Sequence, residues 1–149
     1  MQQPKLCQQL VEGIKHPRTG FMLDTGHLMN TNWDLQNQLD GVEYVEQIVK
    51  GLGEMRHFIK GMHLHQSLSG LFVRTKAAEN PEPLQQPLGW EESFQYVSQV
   101  DQHQPFSIPE ARELVELIKP DFLVHEFIQQ DMADWEQKVA VQRSALGYL

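Results

Sequence analysis

Three short apolar runs, each closing on a carboxylate or an imidazole, punctuate this sequence. Residues 20–23 (Gly-Phe-Met-Leu) lead into Asp24, residues 58–64 run through Ile59 and Met62-His63-Leu64, and residues 122–127 end in Val124-His125-Glu126-Phe127. Runs of this length, apolar on both faces, suit strands buried in a parallel sheet. Parallel strands need long crossovers, and the stretches between these runs carry helical periodicity. The chain is therefore expected to be α/β, with its strands parallel.

Leu6, Leu10, Val11 and Ile14 recur at helical spacing, and this first helix should stop near His16-Pro17. Residues 25–40 read as a loop with a helical turn near Trp33–Leu39. Val42, Val45, Ile48, Val49 and Leu52 form one face of a helix for which Asp40 is the expected N-cap. Residues 67–89 contain Pro81, Pro83 and Pro87 and read as a long loop excursion. Residues 90–99 are predicted helical. Ser107, with Pro109 and Glu110 behind it, predicts a capping box for a helix carrying Ala111, Leu114, Val115 and Ile118, which Pro120 stops. The last helix is predicted over 132–146, with Trp135 and Val139 inward. Residues 1–149 read as one domain.

The ends of parallel strands face one crevice, so the three runs bring their terminal groups together. Asp24 and His27 follow the first run, His63 and His65 the second, and Glu126 the third. Mixed oxygen and nitrogen donors without thiolate suit Mn, Mg, Co or Zn. Glu126 on an apolar strand is costly to bury without a cation or partner. His125 points away from Glu126 and is expected to pack against a helix. His16, His57, Trp33, Trp90 and Trp135 are expected to serve as junction, core or loop residues.

Bulk properties narrow the classes further. The net charge is −8, with lysine and arginine scattered singly apart from the pair Arg74 and Lys76, so nucleic acid is disfavoured as a partner. Cys7 is the single cysteine, set between Leu6 and Leu10, and is expected to pack in the core; without disulfides a cytoplasmic setting is expected. Neither a signal peptide nor a membrane-spanning run is recognisable.

Leu23-Asp24-Thr25-Gly26-His27, Gly61-Met62-His63-Leu64 and Val124-His125-Glu126 resemble, in order, strand ends of the xylose isomerase-like superfamily of TIM barrels. That group includes sugar isomerases, ketose 3-epimerases and endonuclease IV-type enzymes. The resemblance implies a partial TIM barrel: its last three β/α units, an incomplete barrel. It also implies that Asp24, His63 and Glu126 ligate a metal, and that His27 contacts substrate or a second metal. Asp101-Gln102-His103 resembles the Asp-x-His pair that binds a further metal in endonuclease IV-type proteins. Two departures stand out: Gln66 replaces an acidic residue three positions after His63, and the first part of the barrel, with further ligands, is absent.

The leading expectation is a divalent-metal-dependent sugar isomerase or epimerase working through an enediolate, with Glu126, or a glutamate of the missing strand, as proton-transfer base and His27 at the substrate, once the missing half is supplied. One alternative is an endonuclease IV-type metal phosphodiesterase; another is an incomplete barrel without activity. A single ion at Asp24, His63 and Glu126 fits the isomerase, whereas a cluster that also engages His27, Asp101 and His103 fits hydrolysis. Exposed sheet edges imply a homo-oligomer or a complementary barrel half as partner.

Overall fold

A computed structural model describes residues 3–79 and 88–148. The order is α1 (Pro4–Ile14), β1 (Phe21–Asp24), α2 (Thr25–Met29), α3 (Gln38–Gly51), a 3₁₀ segment (Gly53–Phe58), β2 (Ile59–Leu64), α4 (Gly70–Glu79), α5 (Trp90–Val100), α6 (Ala111–Ile118), β3 (Phe122–His125) and α7 (Met132–Ala145). The three strands form one parallel sheet in the order β1-β2-β3. Asp24 pairs with His63, and His63 with Val124, so Asp24 and His63 stand at one level of the sheet and Glu126 follows two residues beyond it. The fold is thus α/β with parallel strands, as the apolar runs imply. A closed barrel is not among the described residues.

Alternation along the strands sorts the side chains into two faces. Leu23, Met62 and Leu64 turn toward the helices and are buried with Val42, Val45 and Val49 of α3 and Leu114 and Ile118 of α6. Cys7 joins this core as expected. The opposite face holds Met22, Gly61, Phe122 and Val124 below Asp24 and His63. Here Met22, Phe122 and Val124 remain exposed. Met22 lies over the bare backbone of Gly61, where a Cβ would come within 2.6 Å of its sulfur.

Several local expectations are corrected. The loop predicted over 25–40 begins with α2, because the Asp24 carboxylate accepts the backbone N–H of His27 and caps that turn. Asn37, not Asp40, caps α3, by accepting the N–H of Asp40. The excursion at 67–89 contains α4 over Gly70–Glu79; residues 80–87 lie outside those described. Gly70 makes this tight connection possible, since a Cβ there would fall 1.9 Å from the Trp33 carbonyl oxygen. Ser107 forms no capping box for α6. Its N–H donates to Gln38 Oε1 and its hydroxyl accepts from Gln38 Nε2, which pins the α6 approach to α3. The apolar face of α1 is largely uncovered, with Leu6, Leu10 and Ile14 exposed, and Trp135 of α7 lies at the surface rather than inward.

Candidate metal centre

Asp24 is fixed first. Its Oδ1 accepts the backbone N–H of His27 at 2.8 Å, and its Oδ2 lies 3.6 Å from His63 Nδ1 and 3.4 Å from His27 Nδ1. Burial by itself raises the Asp24 pKa. The nearby His65 ring nitrogen, the His27 backbone N–H and the charges of both imidazoles outweigh it, and the pKa falls to about 2. The carboxylate is therefore ionised at any physiological pH.

His63, one strand over, places Nδ1 2.6 Å from Glu126 Oε2. Glu126 follows β3 directly. Its Oε2 is buried yet makes no geometrically sound hydrogen bond, close as His63 is. A buried carboxylate oxygen without a hydrogen bond is expensive, and a cation shared with His63 would relieve it. Donor atoms of Asp24, His63 and Glu126 lie within 4.8 Å of one another. Two carboxylates and an imidazole thus meet the requirements of a borderline divalent ion.

A second group stands beside the first. An antiparallel bridge between Gln66 and Gln104, with N–O distances of 2.8 and 3.0 Å, folds the segment after α5 back onto the end of β2. Ser67 accepts the Gln102 N–H, and Gln102 Oε1 accepts the Leu68 N–H. The intervening residues are thereby forced toward the strand ends. His103 takes a left-handed backbone (φ 46°), an uncommon conformation for a residue with a Cβ. Its Nε2 lies 2.9 Å from Asp101 Oδ2, and His27 Nε2 approaches the same oxygen at 2.7 Å. Asn30 donates to the other Asp101 oxygen and is itself held by the Ser69 hydroxyl. The carboxylate of Asp101 holds the pKa of His27 up against the lowering effect of its partial burial, with Asp24 and Glu126 adding to the shift.

All six residues expected at the site are brought together: Asp24, His63 and Glu126 in one group, and His27, Asp101 and His103 in the other. The His27 ring spans the two, facing Asp24 through Nδ1 and Asp101 through Nε2. His65, given only a minor place by the sequence, lies at the centre. It is fully buried, its ring stacked on His103 at 4.0 Å between centroids. Its position two residues after His63, on the same side of the strand, was the available signal. His125 faces α7 as expected, against Gln142. Gln142 itself was not foreseen. It is buried, accepts the Phe106 N–H, donates to the Leu64 carbonyl and lies 2.8 Å from His125 Nδ1, which ties α7 to the end of β2. A larger cleft of about 910 Å³, lined by Trp33, Phe72, Tyr96 and neighbours between α4 and α5, shares no residue with either group.

Among the described residues no helix is long and apolar enough to cross a membrane. No protein-family profile matches the chain, and no solved structure does. The chain is similar to a probable endonuclease 4 of Mycoplasma mobile, 31% identical over 71 residues, which are 48% of this chain and 24% of that protein. The chain thus spans about a quarter of the length of the curated relative it matches. This likeness supports a relationship at the level of the xylose isomerase-like and endonuclease IV-type superfamily, and no finer one.

Proposed function

We propose that this chain supplies the larger part of a two-ion centre for hydrolysis of a phosphodiester. The observation that carries the reading is the second ligand group: His27, Asp101 and His103 converge beside Asp24, His63 and Glu126. Enediolate chemistry on a keto-sugar at a single ion would use the first group alone. In-line displacement at phosphorus uses two adjacent cations, which polarise the phosphoryl oxygens, lower the pKa of bound water and stabilise the leaving oxygen. The name of the relative points the same way.

The residues divide the work. Asp24, His63 and Glu126 would hold one ion, and His27, Asp101 and His103 the other, with Mn, Mg, Co and Zn all compatible with the donors. Asp24 needs no proton removed to act as a ligand, since its pKa of about 2 leaves it ionised. His27 is the exposed member, and its ring fixes the spacing of the two carboxylates on the side from which substrate arrives. Glu126 is partly open to solvent, and one of its oxygens is engaged with His63, so we assign the other to receive a proton from the attacking water. A net charge of −8 opposes long contact with a polyanion, so the phosphate is gripped through the ions rather than a basic face. The remainder of a barrel, supplied by another chain or a further segment, would complete the coordination.

Hydrolysis of bis(p-nitrophenyl) phosphate by the chain loaded with Mn²⁺, Co²⁺ or Zn²⁺, against a chelated control, tests the reading. Asp101→Ala is expected to remove one bound ion per chain and at least about 100-fold of the rate. Metal-dependent interconversion of a keto-sugar that survives Asp101→Ala, without phosphodiester cleavage, would return the assignment to an isomerase.

A further inference from the structure

We propose that His65 is itself a metal ligand, a fourth donor from within this chain to the ion gathered by Asp24, His63 and Glu126. The inference rests on the reading that an ion binds there, and it adds the residue that makes the set four. His65 is fully buried, and neither of its ring nitrogens meets a partner in good hydrogen-bonding geometry; Nε2 makes only an ion-pair approach to Asp24. A buried imidazole left so gives up the hydrogen bonds that water would supply, and native structures seldom keep one without a purpose.

The ring is held there deliberately by its surroundings. Thr25, fully buried, accepts the His65 N–H at 3.1 Å and donates its hydroxyl to the His65 carbonyl at 2.5 Å. Gly26 leaves room for the ring, because a Cβ there would stand 2.2 Å from His65 Cε1 and 2.3 Å from Nδ1. His27 meets it edge-on, with ring centroids 6.0 Å apart. Backbone, neighbour and stacking partner thus all fix one orientation.

That orientation aims Nε2 at the carboxylates without hydrogen-bonding to them. Nε2 lies 3.0 Å from Asp24 Oδ1 and 4.0 Å from Glu126 Oε2. Two donors each about 2.1 Å from a common ion stand about 3.0 Å apart at right angles, about 3.4 Å at the tetrahedral angle and about 4.2 Å when opposed. Both separations fall in that span, as does the 3.6 Å between His63 Nδ1 and Asp24 Oδ2, whereas His63 Nδ1 and Glu126 Oε2, at 2.6 Å, stand closer than the span and would part as the ion enters. Close contact outside hydrogen-bonding geometry is what two ligands of one cation show. His65 could instead be grouped with His103 and Glu126 by distance alone. The stacking rules that out as a shared site: with the two rings only 11° from parallel at 4.0 Å, one ion cannot lie in both ring planes. His65 therefore belongs with Asp24, and His103 with Asp101.

The test needs no variant to begin. Zn²⁺ is titrated into the chain labelled with ¹⁵N at histidine, and the ring nitrogens are followed by NMR. His65 Nε2 is expected to shift in step with His63 Nδ1. His65→Phe, which keeps an aromatic ring in the stack at a modest increase in volume, is expected to fold and to lose more than about 100-fold in Zn²⁺ affinity by chelator competition, beyond the 10–100-fold typical of a group that only orients a ligand. If His63 shifts while His65 does not, or if His65→Phe binds Zn²⁺ as the parent does, the assignment of His65 falls and the metal centre stands. If the parent chain takes up no Zn²⁺, the metal centre and this inference fall together.

Discussion

Asp24 serves three neighbours at once: it caps α2, faces the rings of His63 and His65, and sets the height of His27. Its lowered pKa links the site to stability. In the ion-free chain its stabilising contribution is complete above the ordinary carboxylate pKa near 3.8 and is lost as pH falls toward about 2, a change of roughly 2 kcal/mol. Urea unfolding between pH 6 and pH 2 should show that loss, and Asp24→Asn should flatten much of it. Gly26 gives a second prediction of the same size. Gly26→Ala drives a methyl into the His65 ring and should cost about 1–3 kcal/mol in unfolding free energy, as overpacking does. Zn²⁺ affinity, measured by calorimetry, should fall with it. An alanine variant as stable as the parent would mean that the ring is not held against α2 as described.

At the level of elements, Gln142 does the work of a clasp. Replacing it with leucine keeps the volume and leaves the Phe106 N–H and the Leu64 carbonyl without their buried partner. A loss of about 2–4 kcal/mol is expected, with thermal melting as the readout. None of this was legible in the sequence, because a glutamine on a helix face looks like any solvated polar residue until the fold brings two backbone groups and the His125 ring to it. The strands and their terminal Asp24, His63 and Glu126 were legible, since short, largely apolar runs ending in ionisable groups leave few other readings. α2 and α4 were not. α2 has five residues and exists through the Asp24 cap, and α4 begins at Gly70 where a close approach to Trp33, not periodicity, decides the path. His65 was undervalued because strand alternation gives its direction but not its burial. Trp135 was misplaced because the pattern of α7 does not say which side the sheet lies on.

For the whole molecule, the apolar surface left open is the main consequence of having three strands. Met22, Phe122 and Val124 on the sheet, and Leu6, Leu10 and Ile14 on α1, are exposed, and β1 and β3 each present an unpaired edge among the described residues. Such surfaces associate. The chain purified alone is expected to form dimers or larger assemblies at micromolar concentration by light scattering. Substituting Phe122 and Met22 with lysine should shift it toward monomer; a monodisperse parent monomer would argue that the open face is stable in water.

The strand order also governs how long an ion would stay. Among the described residues β2 is flanked on both sides, whereas β1 and β3 each have one free edge. Amide hydrogen exchange should therefore be slowest in β2 and faster along the outer edges of its neighbours. His63 is anchored on the protected strand, while Asp24 and Glu126 are carried by the two that fray. The lifetime of a captured cation would then be governed less by bond strength at its donors than by how often either outer strand lifts away, and anything that sheathes those strands would slow its escape.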